Sequence, residues 1–182
     1  MKKQLLFAFI FCISILGYTQ TFTNNFFTYQ VLSPVSPYTV TITDYDFTGG
    51  INVNIPSSVI YNSNTYNVVR IGNYAFQGNT TTGEQLTSVI IPNTVTYIGL
   101  GAFSFNQLAS VIIPNSVTTI DNIAFTNNQL TSVTLSNNLV SIPLGIFQGN
   151  LLTSVTIPNS VTSIQGNAFL IINLLLSLYL VM

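Results

Sequence analysis

The acidic side chains are the first candidates for chemistry, because the chain carries four of them and no histidine. Asp44 and Asp46 are two residues apart, a spacing that places both side chains on one face of a β-strand. Together with asparagine amides and main-chain carbonyls, they could supply the six or more oxygen ligands that a calcium ion usually takes. The simpler interpretation, which we favour, is a pair of solvated polar residues at a strand end.

The other reactive side chains form no catalytic pattern. Without histidine the chain has no imidazole base or metal ligand, and its one cysteine, Cys12, lies in an apolar N-terminal run. We interpret Asp121 as a turn residue that bonds nearby amides. Because the titratable groups do not cluster, the sequence predicts a protein that is not an enzyme and that uses no cofactor or metal.

Charge is scarce along the whole chain. Charged residues make up 4 % of the sequence, against about 25 % in typical soluble domains. The basic residues are Lys2, Lys3 and Arg70. Nucleic-acid binding needs a basic patch that displaces counterions, and one arginine beyond the N-terminus cannot form it. Nucleic acid is therefore excluded as a partner.

Residues 1–20 have the pattern of a secretory signal peptide. Lys2 and Lys3 precede an apolar run from Leu5 to Leu16, and a polar stretch with a cleavage site near Gln20 follows. A membrane-spanning helix needs about 20 apolar residues, so we expect no integral membrane span in the mature chain. These features predict a secreted or cell-surface protein, with Cys12 as apolar filler in the removed segment.

An internal repeat dominates the remaining sequence. Two residue types recur at intervals of 22 residues: Leu86, Leu108, Leu130 and Leu152, and Phe103, Phe125, Phe147 and Phe169. A degenerate earlier unit begins with INVNIPSSV and ends at Phe76. Each full unit places apolar residues two apart ahead of a proline or its replacement, which predicts short strands at Ser88–Ile91, Ser110–Ile113, Ser132–Leu135 and Ser154–Ile157.

One such unit cannot bury its apolar side chains alone, but stacked units can align like residues into columns. The predicted fold is therefore a repeat solenoid with short parallel β-strands and an irregular or short-helical convex side. The phenylalanines should form one column on that convex side. We expect Phe125 to be fully buried and Phe76, nearer the end and beside a longer loop, to contribute less.

The repeat pattern L-x-S-V-x-I-P-x-S-V-x-x-I-x-x-x-A-F resembles the BspA-type leucine-rich repeat of bacterial surface proteins. The resemblance covers roughly residues 38–180, and the third unit departs from it at Ser136 and Ile146. It implies a leucine-rich-repeat solenoid that acts as an adhesion or interaction module at the cell surface.

The two ends of the stack differ in character. Alternating apolar residues on both sides of a proline-rich turn predict a β-hairpin cap over residues 21–50. The solenoid is expected to occupy residues 51–182 and to be incomplete at its C-terminus. Leu174 to Val181 is apolar, uncharged and free of proline, which predicts end-to-end self-association.

The outward side of the predicted strands is the best candidate for a binding surface, because parallel rows on a solenoid form an extended face. Its residues are Ser88, Ile90, Ser110, Ile112, Ser132, Thr134, Ser154 and Thr156. The expected partner is a protein or a glycan on an extracellular surface. The alternative is an inactive fragment of a longer surface scaffold, and ice or crystal-surface binding is a distant third.

A second recurring set follows the strands. Asn93, Asn115, Asn137 and Asn159 occupy one repeat position. They could form a ligand-facing row of amides, or they could satisfy main-chain groups at a repeated turn. We favour the turn, because turn chemistry already accounts for asparagine there.

Overall fold

The structure is a computed structural model that describes residues 20–170 of the 182-residue chain. Its regular elements are thirteen β-strands and one short 3₁₀ helix. The predicted signal peptide with Cys12 and the apolar tail from Leu174 lie outside the described residues. Cleavage and end-to-end self-association therefore stay predictions.

The N-terminal segment is antiparallel. Strand β1 (Thr21–Asn24) pairs with β2 (Phe27–Ser33), which pairs with β3 (Thr39–Tyr45) across the proline-rich turn. A 3₁₀ helix at Phe47–Gly49 follows. β1 was not predicted. β3 also pairs in parallel with a later strand, β6 (Asn64–Ile71), so the hairpin continues into the sheet of the repeats, and its role as a cap stays a prediction.

Tyr29 of β2 makes the stability of the folded chain depend on pH. Its side chain is 1 % exposed, and burial raises the pKa of Tyr29 from 10 to about 12. The folded chain then keeps a proton that the unfolded chain has lost. The associated stability is present below pH 10 and is lost as the pH rises from 10 through 12. We expect Tyr29→Phe to remove about 2–3 kcal/mol of this alkaline loss, measured by urea unfolding from pH 9 to 12.

The matched control for this measurement is Tyr74→Phe, which removes the same hydroxyl group from a side chain that is 45 % exposed. Part of the alkaline loss will persist in Tyr29→Phe, because burial also raises the pKa of Tyr45 and of Tyr97. Parallel profiles for Tyr29→Phe and the unmodified chain would contradict the assignment.

The repeats form two columns of short strands. The first column contains β4 (Asn52–Asn54), β7 (Ser88–Ile90), β9 (Ser110–Ile112) and β11 (Ser132–Thr134). The second contains β6, β8 (Tyr97–Ile98), β10 (Thr119–Ile120), β12 (Ser141–Ile142) and β13 (Ser163–Ile164). Where these strands pair, they pair in parallel, as predicted for the first column: β4 with β7 and β9 with β11 there, and β6 with β8, β8 with β10 and β12 with β13 in the second column. No ladder joins β7 to β9. One further strand, β5 (Ser58–Tyr61), pairs antiparallel with β6.

The second column was not predicted, and one strand of the first is missing. The prediction of a strand at Ser154–Ile157 is wrong, because these residues carry no regular β-structure. They belong to the last described coil, which has a described neighbour on one side only. Leu151 still donates its N–H to the Leu130 carbonyl at 2.9 Å, but the pairing does not continue into a ladder.

Pro143 accounts for a break in the second column between β10 and β12. At the equivalent position Asp121 donates its N–H to Ile98, and Gln165 donates to Ile142, both at 2.9 Å. Proline has no N–H to donate. Strands β12 and β13 therefore form a separate pair instead of extending the large sheet.

The phenylalanines form the predicted column. Successive ring centroids from Phe76 to Phe169 are 5.1, 5.2, 5.8 and 5.8 Å apart, with near-parallel planes. Phe125 is fully buried, but so is Phe76. Tyr45 and Phe27 lie 5.4 and 6.2 Å from the Phe76 ring, so aromatic residues of the N-terminal segment cover the end of the column.

The convex side consists of turns, which corresponds to the irregular form of the prediction. The residue two positions before each phenylalanine has a positive φ: Tyr74, Gly101, Ile123, Gly145 and Asn167. This left-handed residue lets the chain turn while the phenylalanine N–H donates to the next coil, as from Phe103 to Ala124 at 2.8 Å.

A buried asparagine column that the sequence reading missed runs beside the phenylalanines. Asn106, Asn128 and Asn150 each lie three residues after a phenylalanine and are at most 6 % exposed. The Asn128 Oδ1 accepts the Leu108 N–H at 3.1 Å, and its Nδ2 donates to the carbonyls of Phe103 and Phe125 at 2.9 and 3.1 Å. Each amide thus bonds buried main-chain groups of two coils, and the carbonyls of Phe103 and Phe125 each accept from two successive amides of the column.

Candidate binding surface

The outward side chains of the first strand column form two rows, and all eight predicted residues are exposed. Ser110 pairs with Ser132 and Ile112 with Thr134, so like positions face like positions along the column. Paired strands of a ladder lie about 4.8 Å apart, which sets the spacing of the rows between β4 and β7 and between β9 and β11. Ser154 and Thr156 are exposed in the last described coil, although no strand forms there.

Two asparagines of β4 extend these rows at the N-terminal end. Asn52 pairs with Ser88, and Asn54 pairs with Ile90. The Asn52 Oδ1 accepts hydrogen bonds from the hydroxyls of Ser88 and Thr87 at 2.7 and 2.8 Å. The degenerate unit INVNIP could have indicated these two residues, because its alternation of apolar and polar residues matches that of the full repeats. We call these two residues and the eight predicted ones the strand face.

Two isoleucines stand at the centre of the strand face. Ile90 is 63 % exposed and Ile112 is 69 % exposed. They come from successive coils and are flanked by serine, threonine and asparagine. Side chains this exposed add little to the core, so they remain available to contact another molecule.

The strand face carries no charged residue, and the carboxylates lie elsewhere. Asp44, Asp46 and Glu84 line a separate open cleft of about 560 Å³. The expectation that Asp44 and Asp46 share a strand is wrong, because β3 ends at Tyr45. Asp46 instead caps the 3₁₀ helix, and the hydrogen bond from the Thr48 N–H lowers its pKa. In residues 20–170, no three acidic, cysteine or histidine side chains are grouped so that they could hold a metal ion.

Asp121 has a different partner from the one expected. The Tyr97 hydroxyl donates to the Asp121 carboxylate, and the Arg70 guanidinium lies 4.0 Å from the centre of the Tyr97 ring. Burial, followed by the hydrogen bond to Asp121, raises the pKa of Tyr97. The three side chains come from successive coils, so they connect the stack along the second strand column and not at the strand face.

One asparagine of the exposed row, Asn115, has the turn role that we favoured, because it forms hydrogen bonds to main-chain and side-chain groups of the next coil. The Asn115 Oδ1 accepts the main-chain N–H of Asn137 at 2.8 Å, and the Asn115 carbonyl accepts from Asn138 at 2.6 Å. Asn93, Asn115, Asn137 and Asn159 are all exposed. At Asn115 the amide therefore links one turn to the next coil.

Comparisons with known proteins agree with this architecture. The model of the BspA type leucine-rich repeat region matches residues 40–175 in six copies. Among curated proteins, none matches the sequence. Within residues 20–170, no helix has the length and apolar character needed to cross a membrane.

Several solved structures resemble the chain. The pneumococcal vaccine antigen PcpA has a TM-score of 0.66 and 20 % identity, over 84 % of this chain and 47 % of that one. A leucine-rich repeat protein from Eubacterium ventriosum has a TM-score of 0.53 and 21 % identity, over 78 % of this chain and 38 % of that one.

A leucine-rich repeat protein from Bacteroides ovatus is 25 % identical with a TM-score of 0.48, over 82 % of this chain and 50 % of that one. The chain thus spans half or less of the length of these three structures. The repeated phenylalanine and leucine columns, the parallel coils and the match over three quarters of the sequence lead to one conclusion: the chain belongs to the BspA-type leucine-rich-repeat family.

Proposed function

We propose that this protein is a non-enzymatic interaction module, secreted or held at the cell surface, that binds a protein or a glycan through the strand face. The observation that carries the proposal is the strand face itself. It is a regular, uncharged surface of ten exposed side chains, with Ile90 and Ile112 at its centre.

The chemistry of the strand face suits binding more than catalysis. A small apolar centre inside a polar rim is the usual arrangement of an interaction surface. Serine, threonine and asparagine provide donors and acceptors without charge, so recognition here rests on hydrogen bonds and contact area. The absence of histidine from the sequence and the scattering of its carboxylates support a function without acid–base chemistry.

Export is supported by the sequence pattern of residues 1–20, in which two lysines precede an apolar run and a polar stretch. A charge-poor surface built from hydroxyls and amides would also show little electrostatic preference between partners. The proposed partner is therefore a molecule met outside the cell and recognised by shape and hydrogen bonding.

Binding to an array of glycans and extracellular-matrix proteins tests the proposal with one matched pair of variants. Ile112→Lys places a charge at the centre of the strand face and should weaken binding of the captured ligand at least about tenfold. Val140→Lys makes the same kind of change at a residue that is 59 % exposed beside the second strand column, and should leave binding unchanged. Equal effects of the two variants would show that binding does not depend on the strand face, and no binding to any array component would favour the inactive scaffold instead.

A further inference from the structure

A groove of about 390 Å³ lies at the N-terminal end of the strand face. The turn between β1 and β2, the body of β2, and strands β4 and β5 contribute to its walls. Asn24, Asn25, Asn54 and Ser58 provide polar groups, while Phe27 and Tyr29 provide aromatic rings. Its volume is at the small end of the range for small-molecule sites, about 300–1,000 Å³, so it fits a compact ligand and not a folded domain.

The polar groups of the groove have free hydrogen-bonding capacity. Within residues 20–170, the side chains of Asn24, Asn25, Asn54 and Ser58 form no hydrogen bond, in contrast to the buried amides, each of which forms several. An amide offers two donors and an acceptor, and a hydroxyl offers both functions. Four such groups around one groove can bind a ligand that is itself dense in donors and acceptors.

Tyr29 adds a further polar group to the groove. Its side chain is 1 % exposed and lines the groove, and among the described residues its hydroxyl forms no hydrogen bond. This hydroxyl is not among the buried atoms that lack a partner, so it keeps some accessible surface. A phenolic hydroxyl both donates and accepts, so it can exchange hydrogen bonds with a hydroxyl group of a ligand.

The lining of the groove also favours uncharged ligands over charged ones. Its lining contains no acidic or basic side chain, so a charged ligand would lose hydration without gaining a counter-charge. The Phe27 ring, which is partly buried, offers an apolar surface for the C–H groups of a sugar ring. Vicinal hydroxyls on an uncharged ring match the free amides and the Tyr29 hydroxyl.

We propose that this groove is a subsite for a neutral saccharide unit, held by Asn24, Asn54 and the Tyr29 hydroxyl against the Phe27 ring. Asn54 belongs both to the groove and to the strand face, so a longer neutral glycan seated here would continue along the serine and threonine rows. The inference rests on the proposed binding function and names its ligand class.

The test measures binding of the full chain to neutral hexose oligosaccharides of two to six units, and to sialylated and sulfated counterparts. Neutral oligosaccharides should bind and acidic ones should not. Tyr29→Phe, which removes a hydroxyl while keeping the ring, and Asn54→Ala, at an exposed position, should each raise the Kd about tenfold. Tyr74→Phe, at a tyrosine that is 45 % exposed on the convex side, should leave the Kd unchanged.

A preference for acidic sugars, or equal affinities of Tyr29→Phe and Tyr74→Phe for the neutral ones, would overturn the inference. Capture of a protein ligand that is lost in Ile112→Lys, with no saccharide binding, would overturn the inference while leaving the proposed function standing. Saccharide binding that depends on Tyr29 but not on Ile112 would support the subsite and refute the larger strand-face proposal.

Discussion

Phe125→Ala is expected to lower the free energy of unfolding by about 3–5 kcal/mol, the range for truncating a large buried aromatic side chain. The Phe125 ring is fully buried between Phe103 and Phe147, with centroids 5.2 and 5.8 Å away. Removing it leaves a cavity in the middle of a rigid stack, because the coils on both sides are held by main-chain hydrogen bonds and cannot close the gap. Urea unfolding followed by circular dichroism measures the loss.

Alanine variants of two further phenylalanines test whether the loss of stability depends on burial within the column. Phe105→Ala, in the turn of the preceding coil and at a residue that is 40 % exposed, should cost about 1 kcal/mol or less. Phe76→Ala should cost as much as Phe125→Ala, because Tyr45 and Phe27 cover the other side of the Phe76 ring. A clearly smaller loss at Phe76 would show that the N-terminal segment does not close the aromatic column.

Asn128→Ala should also be strongly destabilising, by about 2–4 kcal/mol, although it removes a polar side chain. The change leaves the buried Leu108 N–H without its partner, which costs about 1–3 kcal/mol. The carbonyls of Phe103 and Phe125 each lose one of two amide donors and keep the other, from Asn106 and Asn150, so each adds only about 0.5 kcal/mol. Thermal and urea unfolding of the variant measure the sum.

Asn137→Ala is the matched control, since Asn137 is an exposed asparagine that recurs with the same period. The Asn137 main-chain N–H donates to Asn115, and this bond survives the substitution. We expect a change within about 0.5 kcal/mol. If the two asparagine variants were equally stable, the buried amide column would not support the stack.

Much of the fold follows from the sequence alone. A period of 22 residues makes equivalent side chains stack on one another, so the phenylalanine and leucine columns and three strands of the first column are predictable from spacing. Six of the eight residues of the predicted surface lie on strands and are exposed for a related reason, since alternation along a short strand separates inward from outward side chains. The family assignment rests on the same repeats.

Whether a repeated residue is buried or exposed depends on the tertiary structure and does not follow from the 22-residue period. Asn106 and Asn115 recur with equal regularity, yet one column is buried and hydrogen-bonded three ways while the other is exposed. A period determines which residues stack, but not whether they point inward. In the buried column each asparagine directly follows a residue with a positive φ, namely Phe105, Asn127 or Gly149, and such backbone conformations are not specified by the period.

The two-residue strands and the groove also depend on contacts between segments that are distant in the sequence, so the repeat spacing does not predict them. Strands of two residues, such as β8 and β10, exist because neighbouring coils bring their main chains together, and their own sequence is too short to predict them. The groove at Tyr29 combines residues from β2, β4 and β5 and from the β1–β2 turn. The repeat spacing of the sequence determines the stack, whereas contacts between segments with no common period form this groove, and only the folded chain brings them together.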